Sequence, residues 1–181
     1  MKKLYEEEDI RGIAEAIREK NGTTNTYKVS EMGAAVRTIS SGSGAKEPYI
    51  EEIYDANGRL IDVNFVGYTA IRDNAFYGCA NLALTSLPNE VTSIGTYAFY
   101  NCSKLSLTSL PSGIISVGGN AFGNCTGLTT ITFQGKPNSI ASNAFNRCTN
   151  LKTINVPWAS GEVANAPWGA TNATINYNYT G

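Results

Sequence analysis

At 181 residues the chain has room for one or two compact units, and a hydrophobic fraction of 42% is enough to build a buried core. The net charge is −1 and the 14 lysines and arginines never gather into a dense run, which argues against nucleic acid or an anionic membrane surface as partner. With no apolar run of about 18 residues for a bilayer span, and with 0 histidines to act as general base or to ligate metal, membrane insertion, His-based catalysis, a metal site and a cofactor are all disfavoured.

The chain opens Met1-Lys2-Lys3, but Leu4-Tyr5-Glu6-Glu7-Glu8-Asp9 is acidic where a secretion signal needs an apolar core. Synthesis in the cytoplasm without Sec export is therefore expected; a signal removed beforehand would leave the same start and place the protein on a bacterial cell surface. Residues 4–40 read as a helical hairpin. Asp9 is an N-cap candidate, Ile10, Ile13, Ala14 and Ile17 share one stripe, and Asn21-Gly22 stops the helix. Ser30 then caps a second helix with Met32, Ala35, Val36 and Ile39 as its apolar positions. Two such helices are too small to stand alone, so the hairpin either docks on the rest of the chain or attaches to another copy or another protein.

The wording Asp9-Ile10-Arg11 through Lys20-Asn21-Gly22, followed by Tyr27-Lys28 and Ser30-Glu31-Met32, resembles the N-terminal segments of tail-associated proteins of phages and prophages. That resemblance implies an attachment or homo-oligomerisation element in residues 1–40. Residues 41–47, rich in Ser and Gly, are a linker by composition, and residues 48–181 form the second unit. It begins with alternating apolar and polar residues on both sides of Asp55-Ala56-Asn57-Gly58, the pattern of a β-hairpin suited to cap an open stack.

From Ile71 to Pro157 one phrase is written four times at a spacing of 23 residues. Ala75-Phe76, Ala98-Phe99, Ala121-Phe122 and Ala144-Phe145 are each followed by a cysteine (Cys79, Cys102, Cys125, Cys148) and then a leucine (Leu82, Leu105, Leu128, Leu151). Ile71, Ile94, Val117 and Ile140 precede the alanines, and Leu87, Leu110, Phe133 and Val156 close a strand after the leucines. A unit this short covers its apolar side chains only by stacking on its neighbours, so the columns become the core of a solenoid. Four rungs at about 4.8 Å span roughly 19 Å. The expected fold class is an α+β repeat: a four-rung solenoid with a β-hairpin cap, a C-terminal cap and the preceding helical hairpin.

The phrase Ala-Phe-x-x-Cys-x-x-Leu, then Leu-Pro or Val-Pro and Ser-Ile-Gly as at Ser93-Ile94-Gly95, resembles the BspA-type leucine-rich repeats. The resemblance implies binding or adhesion and no enzymatic activity. The first two copies depart from the other two, with Leu84 and Leu107 standing one residue before the position taken by Ile131 and Ile154. Either the strand register slips there or a bulge absorbs the difference. The cysteines, all in one column, read as small buried hydrophobes, with disulfides between neighbouring rungs as the alternative.

Two surfaces are candidate binding sites. One is the strand face with Thr85, Thr108, Thr130, Lys152 and Thr153, although strand propensity and solubility account for threonine there more simply than a ligand does. The other is the aromatic end, with Trp158, Trp168, Tyr177 and Tyr179 either capping the stack or offering ring faces to sugar. The expected partner is a protein or surface glycan of a bacterial cell, contacted by a virion-associated tail protein, by a cell-surface adhesin, or by nothing if the chain is purely architectural.

Overall fold

The computed structural model describes residues 49–181. The predicted helical hairpin and linker lie outside these residues, and no helix occurs among the described ones. The predicted β-hairpin is present: β1 (Tyr49–Tyr54) pairs antiparallel with β2 (Leu60–Val66). Asp55 organises its turn, the Oδ1 atom accepting from the backbone N–H groups of Asn57 and Arg59, both at 2.9 Å. These donors, Arg59 first, hold its carboxyl below the usual carboxylate range.

Beyond the hairpin the chain winds into a coil with two parallel sheets. One contains β3 (Ala70–Ile71), β4 (Ser93–Ile94), β6 (Ser116–Val117) and β8 (Ser139–Ile140) in that order. The other runs β5 (Ser109–Leu110), β7 (Thr130–Phe133), β9 (Thr153–Asn155) and β10 (Thr174–Asn176). Between the two sheets lie turns that contribute a ladder of their own. Asn74, Phe76 and Gly78 donate N–H groups to the carbonyls of Thr96, Ala98 and Tyr100, and Tyr97, Phe99 and Asn101 repeat this with Gly119, Ala121 and Gly123.

The repeated columns are the core. Phe76, Phe99, Phe122 and Phe145 stack face to face with ring centroids 5.3, 5.5 and 5.1 Å apart. Full burial of each ring contributes on the order of 1.5–3 kcal/mol. Phe65 of β2 meets Phe76 edge-on at 5.7 Å and so closes the N-terminal end of the column. At the other end Phe133 packs edge-on against both Phe145 and Trp158.

The count of rungs needs correction. Trp168 stands 23 residues after Phe145 (168 − 145) and is fully buried, and Val163 stands 23 after Ile140 (163 − 140) and is buried too. The carbonyl of Trp168 accepts from Phe145 N–H at 2.9 Å, continuing the turn ladder, and β10 adds a fourth strand to the second sheet. What the sequence presents as a C-terminal cap is a fifth, irregular rung. It escapes the period because β10 pairs with β9 at an offset of 21 residues (174 − 153), two short of the regular spacing.

The departure in the first two copies resolves locally. Leu84 and Leu107 are both buried while Thr85 and Thr108 face out. By Ser109 and Leu110 the chain is again in register with Thr132 and Phe133. A distortion confined to the residues before β5 absorbs the mismatch, and the strand is shortened rather than slipped.

Candidate functional site

Two outward surfaces arise from this geometry. The first is a shallow furrow of about 880 Å³ along the outer face of β3, β4, β6 and β8. Its floor is built from positions where the repeat holds small residues: Ala70, Ser93, Ser116 and Ser139 lie side by side in register, and Gly95, Gly118 and Ala141 line the next column. Gly118 is required there, because a Cβ would lie 2.6 Å from the backbone N of Thr96. Arg72 and Asp73 stand at one end of the furrow and Asn165 at the other. Asp73 Oδ1 accepts from Thr96 N–H at 2.6 Å and ties the first rung to the second. The furrow is therefore a hydroxyl-lined strip, uncharged along its length, with one cationic and one anionic side chain at its first rung.

The second surface lies on the turns that follow the furrow strands. Tyr77 and Tyr100 stack with centroids 5.2 Å apart, and Tyr97 stands at 76° to Tyr100 at 5.3 Å. Tyr77 is 52% and Tyr97 37% exposed. Sequence reasoning missed these three residues. The available signal was a column that varies: the residue after each repeated phenylalanine is Tyr77, Tyr100, Gly123 or Asn146.

The predicted site residues divide. Thr85, Thr108 and Lys152 are exposed, and Thr130 and Thr153 are half-buried neighbours across β7 and β9. The same sheet face carries a polar ladder, in which Asn176 Nδ2 donates to Asn155 Oδ1 and Asn155 Nδ2 to Thr132 Oγ1. Of the aromatic end, Trp158 and Trp168 are buried, and Trp168 Nε1 donates to the Ala164 carbonyl at 2.7 Å. Their rings are packed into the core, while Tyr177 is half-buried and Tyr179 exposed.

All four cysteines are free thiols. Cys102, Cys125 and Cys148 are buried, and each Sγ–H donates to the carbonyl of the phenylalanine one rung before, Phe76, Phe99 and Phe122, at 2.9–3.0 Å. Burial pushes Cys102 up to about 12 and Cys148 to about 11, and raises Cys125 as well, so all three stay protonated at neutral pH. Cys79, half-buried at the first rung, is raised by burial and by the charge of Glu52. Among the described residues no group of three or more His, Cys, Asp or Glu side chains is placed to hold a metal ion.

The sequence pattern of the BspA type leucine-rich repeat region (six copies) matches residues 69–166, just over half of the chain. A leucine-rich repeat protein from Bacteroides ovatus is similar in structure, with 28% identity and a TM-score of 0.56; the match covers 68% of this chain and 31% of that one. The chain thus spans about a third of that protein's length. A leucine rich cell surface protein from Faecalibacterium prausnitzii is 24% identical with a TM-score of 0.43, covering 74% of this chain and 43% of that one. The leucine-rich repeat protein of T. pallidum is 18% identical with a TM-score of 0.40, covering 72% and 80%. No curated protein matches the chain.

Proposed function

This chain belongs to the BspA-type leucine-rich repeat family, and on that premise we propose that it is a non-catalytic binding module whose furrow receives an extended ligand from a bacterial surface. The observation that carries the reading is the furrow itself. Four rungs hold small side chains in register over its length, leaving backbone and serine hydroxyls within reach of a ligand that repeats or runs straight. The interior supplies rigidity, so such a surface is presented without ordering losses on binding.

In its finer form the proposal places the module on a phage or prophage tail, attached or oligomerised through residues 4–40. Its support is the wording of residues 9–32, which lie outside the described residues. A bacterial cell-surface adhesin is the other setting, and it uses the same furrow.

Ser116 sits in the middle of the furrow, so Ser116→Tyr fills it from the third rung without touching the core. Flow cytometry of the labelled full chain on a panel of intact Gram-negative and Gram-positive cells is expected to show binding that this variant weakens by roughly tenfold, equivalent to about 1.4 kcal/mol. Equal labelling by the variant, or no labelled cell in the panel, would contradict the proposal.

A further inference from the structure

The rungs serve as internal controls for one another, and the turn edge is where they disagree. At the position after the repeated phenylalanine, rungs three and four carry Gly123 and Asn146, yet rungs one and two carry Tyr77 and Tyr100. At the position two before it, Asn74 and Asn120 adopt left-handed backbone with φ of 57° and 49°, whereas the second rung places Tyr97 there at φ 55°. Asparagine enters that region at low cost and a bulky ring does not. The fold thus closes these turns without tyrosine, and in one rung it does so against a local penalty. Strain of this kind, kept where a simpler residue serves the scaffold, points to a ligand.

The three rings make a corner. Tyr100 lies across Gly123, where a Cβ would stand 2.6 Å from its Cδ2 atom, and Tyr77 stacks beside it. Tyr97 rises at 76° to Tyr100 and at 57° to Tyr77. The surroundings are amides rather than aliphatics: Asn101 accepts from Asn124 at 2.7 Å, and Asn74 and Asn120 flank the turns. Within residues 73–78, 96–101 and 119–124 the sole charged side chain is Asp73, which is engaged by Thr96 N–H.

We propose that Tyr77, Tyr97 and Tyr100 form a binding corner for an uncharged sugar unit of a surface glycan. A pyranose has one face of C–H bonds that packs on an aromatic ring and a rim of hydroxyls that pairs with amides and phenols. A protein partner fits less well, since a stable interface needs about 1,000 Å² of buried surface, more than three rings supply. The inference rests on the reading of the chain as a binding module but concerns a different face from the furrow.

The test is saturation-transfer NMR on the full chain with the methyl glycosides of glucose, galactose, mannose and N-acetylglucosamine. Transfer to the ring C–H protons of at least one glycoside is expected. The triple variant Tyr77→Asn, Tyr97→Asn, Tyr100→Asn takes its residues from the other rungs and so keeps the fold; affinity should fall roughly tenfold or more. Gly123→Ala retains all three tyrosines yet displaces the Tyr100 ring, and should weaken the same signal. Ser116→Tyr should leave it intact, which separates failure here from failure of the furrow reading. No transfer to any of the four glycosides, undiminished transfer in the triple variant, or loss in Ser116→Tyr would overturn the proposal.

Discussion

The buried columns and the turn edge share one backbone ladder but obey different rules. Inside, Phe76, Phe99, Phe122 and Phe145 are identical, and their rings lie within 12° of parallel. One residue later, where the side chain leaves the core, the column breaks: Tyr77 and Tyr100 in the first two rungs give way to Gly123 and Asn146 in the next two. Because each rung is held from within by its neighbours, the outer position carries little of the folding load and is free to specialise. The comparison predicts that substitutions inside are costly and alike from rung to rung, and that substitutions on the edge are cheap, with effects on binding instead.

Phe122→Ala should have the largest effect. Its ring is fully buried between Phe99 and Phe145, and truncation is expected to cost about 3–5 kcal/mol. In a stack stabilised by nearest-neighbour interfaces, the loss weakens both the second and the fourth rung. Urea unfolding would show it, and a cost under about 1 kcal/mol would contradict the shared-core account. Gly118→Ala comes next: the added methyl meets the Thr96 and Gly95 backbone, and overpacking of this kind costs about 1–3 kcal/mol.

The cysteine column supplies a test in pH. An exposed thiol ionises at about 8.5, whereas burial holds Cys148 at about 11 and Cys102 at about 12 in the folded chain. Between those values the unfolded chain has released protons that the folded chain retains. Stability is therefore unaffected below about pH 8.5, the ordinary thiol value, and falls as pH rises from there towards 11 and 12. Each buried thiol adds a slope of up to about 1.4 kcal/mol per pH unit. Replacing Cys102 and Cys148 by Ala should flatten the alkaline limb of a urea-midpoint series. Under native conditions a thiol reagent should label Cys79 first, and equal rates at all four would show that the inner column is open to water.

These same differences explain what was legible in the sequence. Burial forces sameness, so the columns of Ile71, Phe76 and Leu82 with their counterparts gave the solenoid and its register. The fifth rung was hidden because Trp168 takes the phenylalanine place, Thr171 and Thr174 stand where a 23-residue step from Cys148 and Leu151 would put them, and the pairing offset shrinks to 21. Leu84 and Leu107 could not be placed because inward direction before β5 depends on a local backbone distortion that periodicity does not encode. For the surfaces the logic reverses. Composition leaves the tryptophans open as cap or as ligand face, and a large apolar ring next to an open end is drawn into the core; the exposed tyrosines escape notice because they stand at a position that varies from rung to rung.

Tyr97→Asn is the smallest effect and has the opposite sign. The turn at this position is left-handed in three rungs, with Asn74 at φ 57°, Tyr97 at φ 55° and Asn120 at φ 49°. Asparagine is several-fold enriched in that region over bulky residues, so the substitution relieves strain while giving up the exposed edge contacts to Tyr77 and Tyr100. A net gain of about 0.5 kcal/mol is expected, since relief of backbone strain is worth roughly 1.5 kcal/mol and the two exposed ring contacts together about 1 kcal/mol. A thermal melt shifted upward by a few degrees would check it. A clear loss of stability would mean that Tyr97 braces the second rung, and the edge would then belong to the same set of scaffold positions as the columns beneath it.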